Sequence, residues 1–119
     1  MGFVRLGIKA HENMDEEGKR IFNEKRVPIA DVVGHRITVI DFEDDIHTKE
    51  ADGKNTKCVV LYEDEDGQRY KFITSSFDIR DVLIQAKEQE NKGVKIFPQS
   101  DCVIGRRRVG RYDQYYFEQ

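Results

Sequence analysis

Asp66-Gly67 stands between two runs rich in β-branched and aromatic residues, 57–64 and 68–74. An Asp-Gly pair in that setting is hairpin chemistry, because a type I′ turn needs positive φ at both central residues and glycine adopts it without steric cost. A two-residue turn fixes the cross-strand partners. It pairs Asp64 with Arg69, Tyr62 with Lys71 and Val60 with Ile73 on one side, and Glu63 with Tyr70, Leu61 with Phe72 and Val59 with Thr74 on the other. Leu61, Phe72 and Val59 then make the core side, which turns Tyr62, Lys71 and Arg69 outward. A turn of odd length would shift the register by one and move Tyr62 beside Phe72 and Tyr70, into the core.

The rest of the chain extends a strand-rich reading. Its 119 residues suit one domain, and 22 Ile plus Val stand against three Leu, a bias that fits pleated strands better than helices. A first strand is expected over 35–46, long enough to serve two parts of a barrel, and the loop 47–56 follows it. Ser75 or Ser76 caps a helix over 77–91, whose apolar stripe is Ile79, Val82, Leu83 and Ala86 and whose end is Gly93. Two more strands are expected over 94–106, interrupted near Pro98, and over 109–117, with Gly105 and Gly110 bracketing their turn. The expected fold is mainly β: a five-stranded OB-fold barrel over 34–119 with one helix between strands three and four. A different small barrel or an α+β roll has the same element order. Residues 1–33 read as a polar N-terminal arm, flexible or loosely docked, with Ile21 and Phe22 as its anchor.

Charge is unevenly distributed. The net charge is −3, yet residues 102–112 hold four Arg and no acid. No run of about 18 apolar residues exists to span a bilayer, so no membrane role is expected. Cys58 and Cys102 are too few and too far apart for a disulfide scaffold or a zinc site, which suits a cytoplasmic protein with reduced thiols. His11, His35 and His47 fit no metal-ligand spacing, and the acidic run 41–45 reads as a solvated strand end. With no phosphate loop or nucleophile motif either, neither an enzyme nor a cofactor is expected.

In an OB-fold the outward face of strands two and three carries oligonucleotides or oligosaccharides, flanked by the loops after strands one and four. Here that face would show Tyr62, Arg69 and Lys71. The first loop region carries Lys49, Lys54 and Lys57, and the second carries Arg106, Arg107, Arg108 and Arg111 followed by Tyr112. The cations would neutralise phosphates, and Tyr62 with Tyr112 or Tyr116 would stack on unpaired bases. The expected function is therefore binding of single-stranded DNA or RNA. The alternative is a protein-interaction module that uses strand edges, the charged arm and the aromatic C-terminus; a homo-oligomer would form through the strand edges or the N-terminal arm. What separates the two is whether the basic residues share one surface.

Several short segments carry a family resemblance. Asp31-Val-Val-Gly34 leading into Ile37-Thr-Val-Ile40, Tyr70-Lys-Phe-Ile-Thr-Ser-Ser76 before Val82-Leu83, and Tyr115-Tyr-Phe117 together resemble single-stranded-DNA-binding-like proteins of phages and mobile elements. The resemblance covers roughly residues 30–119. It implies an OB-fold and single-strand binding, in phage or mobile-element DNA metabolism, without naming contact residues. Ser75 departs from that pattern where the family has glycine, as does Phe97-Pro98 where it has Pro-Phe, and the Arg106–Arg108 cluster is an addition to it.

Overall fold

The computed structural model describes residue 14, residues 18–47 and residues 56–119. In chain order the elements are α1 (Ile29–Val32), β1 (Arg36–Ile46), β2 (Lys57–Glu63), β3 (Arg69–Thr74), α2 (Phe77–Asn91), β4 (Gln99–Val109) and β5 (Tyr112–Phe117). The strands form one antiparallel sheet in the order β3-β2-β1-β4-β5, with α2 between the third and fourth strands. No helix of the described residues is long and apolar enough to cross a membrane.

The β2–β3 connection departs from the two-residue turn. Asp64 N donates to Gln68 O at 2.8 Å, and the Asp64 carboxylate accepts the N–H groups of Asp66 and Gln68, both at 2.9 Å. These bonds close an odd-length loop with Gly67 at φ +80°. The register is thereby shifted by one, so that Glu63 faces Arg69, Tyr62 faces Tyr70, Leu61 faces Lys71 and Val60 faces Phe72. Asp64 is the physical reason, since one carboxylate holds two N–H groups that a tighter turn would leave to solvent.

This register sorts the sheet into two buried faces. Cys58, Val60, Tyr62 and Phe72 join Ile37, Val39, Phe42 and Ile104 in the main core, closed by Val32 and by Ile79 and Leu83 of α2. Val82 is half exposed and leaves the expected stripe. On the other face Val59 and Leu61 pack with Ile46 against Phe22, which is 1% exposed. Residues 18–27 thus lie on the sheet. Lys71 N donates to Lys25 O at 3.0 Å, and Val27 N donates to Lys71 O at 2.8 Å. Arg20 holds Asp41 at 2.8 Å and stands over the Phe22 ring at 5.0 Å. The described part of the expected arm is therefore docked, because burying Phe22 covers an apolar face that would otherwise meet water.

The acidic run in β1 is engaged in ion pairs. Arg20 takes Asp41 and Glu43, while Arg80 of α2, 12% exposed, takes Asp44 at 2.7 Å and Asp45 at 3.0 Å. Arg80 Nη1 also donates to Thr56 O at 3.0 Å, joining α2 to the start of β2.

β4 and β5 also differ from expectation. Residues 94–98 form no strand: Val94 N closes the end of α2 on Gln89 O, and the Glu90 carboxylate accepts Phe97 N at 3.0 Å. That bond is the main cause holding the Glu90 carboxyl below its ordinary pKa. Gly105 lies inside β4, where a Cβ would stand 2.5 Å from Tyr116 Cζ, so its place is set by a ring rather than a turn. The turn comes at Gly110, φ +61°, next to Arg111.

A candidate nucleic-acid interface on the β4–β5 ribbon

β4 pairs with β1 between Val39↔Gln99 and Arg36↔Val103, and Gly34 N donates to Ile104 O at 3.0 Å. From Gly105 onward, β5 is the partner of β4 among the described strands, through Val109↔Tyr112. The pair therefore continues past the start of β1 as a two-stranded ribbon, and this ribbon contains all four arginines of 102–112.

Alternation along the ribbon divides its side chains. Ile104, Tyr115 and Phe117 face the main core, and Arg106 and Arg108 continue that side beyond it. Tyr116, Arg107, Gln114, Val109 and Tyr112 occupy the opposite side. Tyr116 lies across Gly105, with the Arg107 guanidinium 5.1 Å from its ring centroid. Arg107 also donates to Gln114 Oε1 at 3.0 Å and pairs with Asp78 at 3.3 Å. Gln114 donates to Asp78 at 2.6 Å, so the first turn of α2 braces this side. Ser76, the residue before α2, donates its hydroxyl to Tyr115 O instead of capping its own helix.

The outer ribbon is open. Tyr112 is 78% exposed and Val109 half exposed, and Arg106, Arg108 and Arg111 are exposed. Arg108 reaches Asp113 only at 3.9 Å. Arg106 and Arg111 have no ion-pair partner among the described residues. The ribbon thus offers the guanidinium groups of Arg106 and Arg108 on one side, that of Arg111 at its turn, and the free aromatic face of Tyr112 on the other side.

The other expected site residues lie elsewhere. Tyr62 is 3% exposed and packs its ring against Tyr70 and Phe72, with centroids 6.1 and 5.7 Å away. Burial, aided by the charges of Asp64, Tyr70 and Asp31, pushes its pKa up to about 12. Its expected stacking position is corrected by the one-residue register shift. Lys71 is 8% exposed, and its Nζ donates to Phe22 O at 2.7 Å and Ile21 O at 3.0 Å. Burial lowers its pKa from the ordinary lysine value, against the opposing charge of Glu24. It holds residues 21 and 22 on the sheet and does not face solvent.

Arg69 is exposed but pairs with Glu63 at 3.7 Å. Lys57 stands opposite Ile46, at the far end of β1 from Arg36 and the ribbon. Ten residue steps of strand, roughly 30 Å of chain, separate those ends. Lys49 and Lys54 lie outside the described residues. The structure places Arg106, Arg107, Arg108, Arg111, Tyr112 and Tyr116 on one ribbon, with Arg106 and Arg108 on the side opposite Arg107, Tyr112 and Tyr116, and keeps Lys57, Tyr62 and Lys71 apart from them. One expected surface thus reduces to the ribbon.

The sequence reading left the arm either flexible or loosely docked through Ile21 and Phe22, and two signals favoured the docked alternative. The unbroken apolar run Cys58–Tyr62 is buried at every position, as a strand covered on both faces requires. Ile21-Phe22 is the apolar pair near enough in the polar arm to cover it.

Residues 23–118 match a protein family described as Domain of unknown function (DUF8468), and the chain belongs to that family. No curated protein and no solved structure matches the chain.

Proposed function

We propose that this member of the DUF8468 family binds single-stranded nucleic acid on its β4–β5 ribbon. One observation carries the reading: four arginines lie on a ribbon that runs beyond the neighbouring strand, Arg106 and Arg108 on one side and Arg107 with Tyr112 and Tyr116 on the other, with Arg111 at the turn between them. Arg106 and Arg111 are the phosphate ligands, with Arg108 as a weaker third. Their guanidinium groups displace condensed counterions from the strand, which makes affinity fall with salt. Tyr112 supplies a stacking face for an unpaired base, worth roughly 1–3 kcal/mol and tolerant of sequence. Arg107 and Tyr116, braced by Asp78 and Gln114, hold the ribbon in shape beneath it.

We read the sheet as an open OB-type barrel, supported by its strand order and by the helix between β3 and β4. The binding surface differs from the usual OB site, because Phe22 covers the outer face of β2 and β3 while residues 25–27 bond along the edge of β3 at Lys71. The resemblance to phage and mobile-element proteins supports a place in the DNA metabolism of such elements.

Fluorescence anisotropy with labelled oligo-dT, the matching RNA and a duplex, each at two salt concentrations, tests the proposal. Binding to single strands that weakens with salt and exceeds duplex binding is expected. Absence of binding at low salt would overturn the function, and preference for duplex would overturn its single-strand character.

A further inference from the structure

A second site lies away from the outward side of the ribbon. Between α1, the start of β1 and the β2–β3 hairpin runs a groove of about 360 Å³. Four carboxylates line it, those of Asp31, Asp64, Glu65 and Asp66, and none has an ion-pair partner among the described residues. The cation of the groove wall, Arg36, pairs with Asp101 on β4 at 3.8 Å. Tyr62 and Tyr70 also line the groove, with Val27, Val32 and Ile37 as apolar wall.

The acidic rim has an independent companion. The Tyr62 side chain is 3% exposed, and its hydroxyl has no hydrogen-bond partner among the described residues. The charges that reach this hydroxyl, from Asp64, Tyr70 and Asp31, all belong to groove residues. A buried phenol without a partner, in the wall of a groove whose carboxylates carry no ion pair, calls for a ligand rich in N–H donors. A guanidinium group supplies several in one plane, lies well on aromatic rings, and carries a methylene stem suited to the valine and isoleucine wall.

We propose that this groove binds an arginine side chain, and that the arginine comes from the β4–β5 ribbon of a second copy of the chain. Charge complementarity favours that source: the groove presents four acids without an ion pair, two of which accept main-chain N–H groups, and the same protein displays four arginines in 102–112 without an acid among them. None of those arginines lines the groove of its own chain. The contact is therefore heterologous, ribbon to groove, and propagates head to tail. It does not rest on the nucleic-acid reading, although a ribbon seated in a groove is unavailable to a strand.

Sedimentation velocity of the full chain, without nucleic acid, tests the proposal. At low salt the protein is expected to form species larger than a monomer with rising concentration, and to return to monomer at high salt. Asp31→Asn combined with Glu65→Gln should abolish association, as should Arg106→Ala combined with Arg108→Ala and Arg111→Ala. Mixing the two monomeric variants should restore a 1:1 complex, since one keeps an intact ribbon and the other an intact groove. A wild type that stays monomeric at every concentration overturns the proposal, as does a mixture that forms no complex. In a second arm, argininamide should shift the Tyr62 ring resonances at least tenfold more weakly in the Asp31→Asn, Glu65→Gln protein. Equal shifts in both proteins overturn the assignment of the groove.

Discussion

Lys71 and Tyr62 stand on adjacent strands and opposite faces of the sheet, and the roles of both follow from one register step. Lys71 sits at a buried position because two main-chain carbonyls, those of Ile21 and Phe22, receive its ammonium group. Lys71→Ala orphans both carbonyls, and urea denaturation should show a loss of about 1–3 kcal/mol. Amide exchange over residues 21–27 should accelerate in the same variant. Tyr62 predicts an alkaline effect. Its pKa is near 12 in the fold against 10.0 free, so the unfolded chain ionises first. The stability from this group is present in full below pH 10 and fades between pH 10 and 12, by about 3 kcal/mol. Lys71 works the other way, because its lowered pKa relieves a buried charge as pH rises. Comparing wild type with Tyr62→Phe isolates the phenol, and the variant should lack that share of the alkaline loss. A loss of equal size in Tyr62→Phe would show that the phenol is not its source.

Among the elements, α2 was readable in full from Phe77 to Asn91, and β1 to within a residue, because their periodicity and boundaries agree locally. The hairpins were not, since turn length depends on side-chain bonds that a turn pair alone does not specify. Asp66-Gly67 announced the β2–β3 hairpin, but Asp64 decided its loop and with it the face of Tyr62. Gly105 and Gly110 look alike in sequence; one admits the Tyr116 ring and the other turns the chain. That difference is testable. Gly105→Ala places a methyl group against Tyr116 and should cost roughly 1–3 kcal/mol by thermal or chemical denaturation. In a Tyr116→Ala background the same change should cost much less, and a double-mutant cycle reads the coupling directly. Strict additivity would mean that the ring does not set the glycine.

For the whole molecule, the mainly β class and the order of the elements were readable, and the assembly of the site was not. The element order pointed to five strands with a helix after the third, and the sheet has them. The expected binding face failed as a single surface because Phe22, from outside the five strands, covers part of it, and β1 holds Lys57 and the ribbon at opposite ends. What survives is the arginine cluster, whose local density needs no long-range packing to be noticed. The cluster is proposed as a phosphate-binding surface. The most direct measurement is the slope of log affinity against log salt for labelled oligo-dT, in wild type and in Arg106→Ala, Arg111→Ala protein. Two to four phosphates neutralised on a single strand give a slope of about −1.4 to −2.8, and removing the two unpaired arginines should flatten it by about 1.4. Unchanged slope and affinity in the double variant would contradict the account.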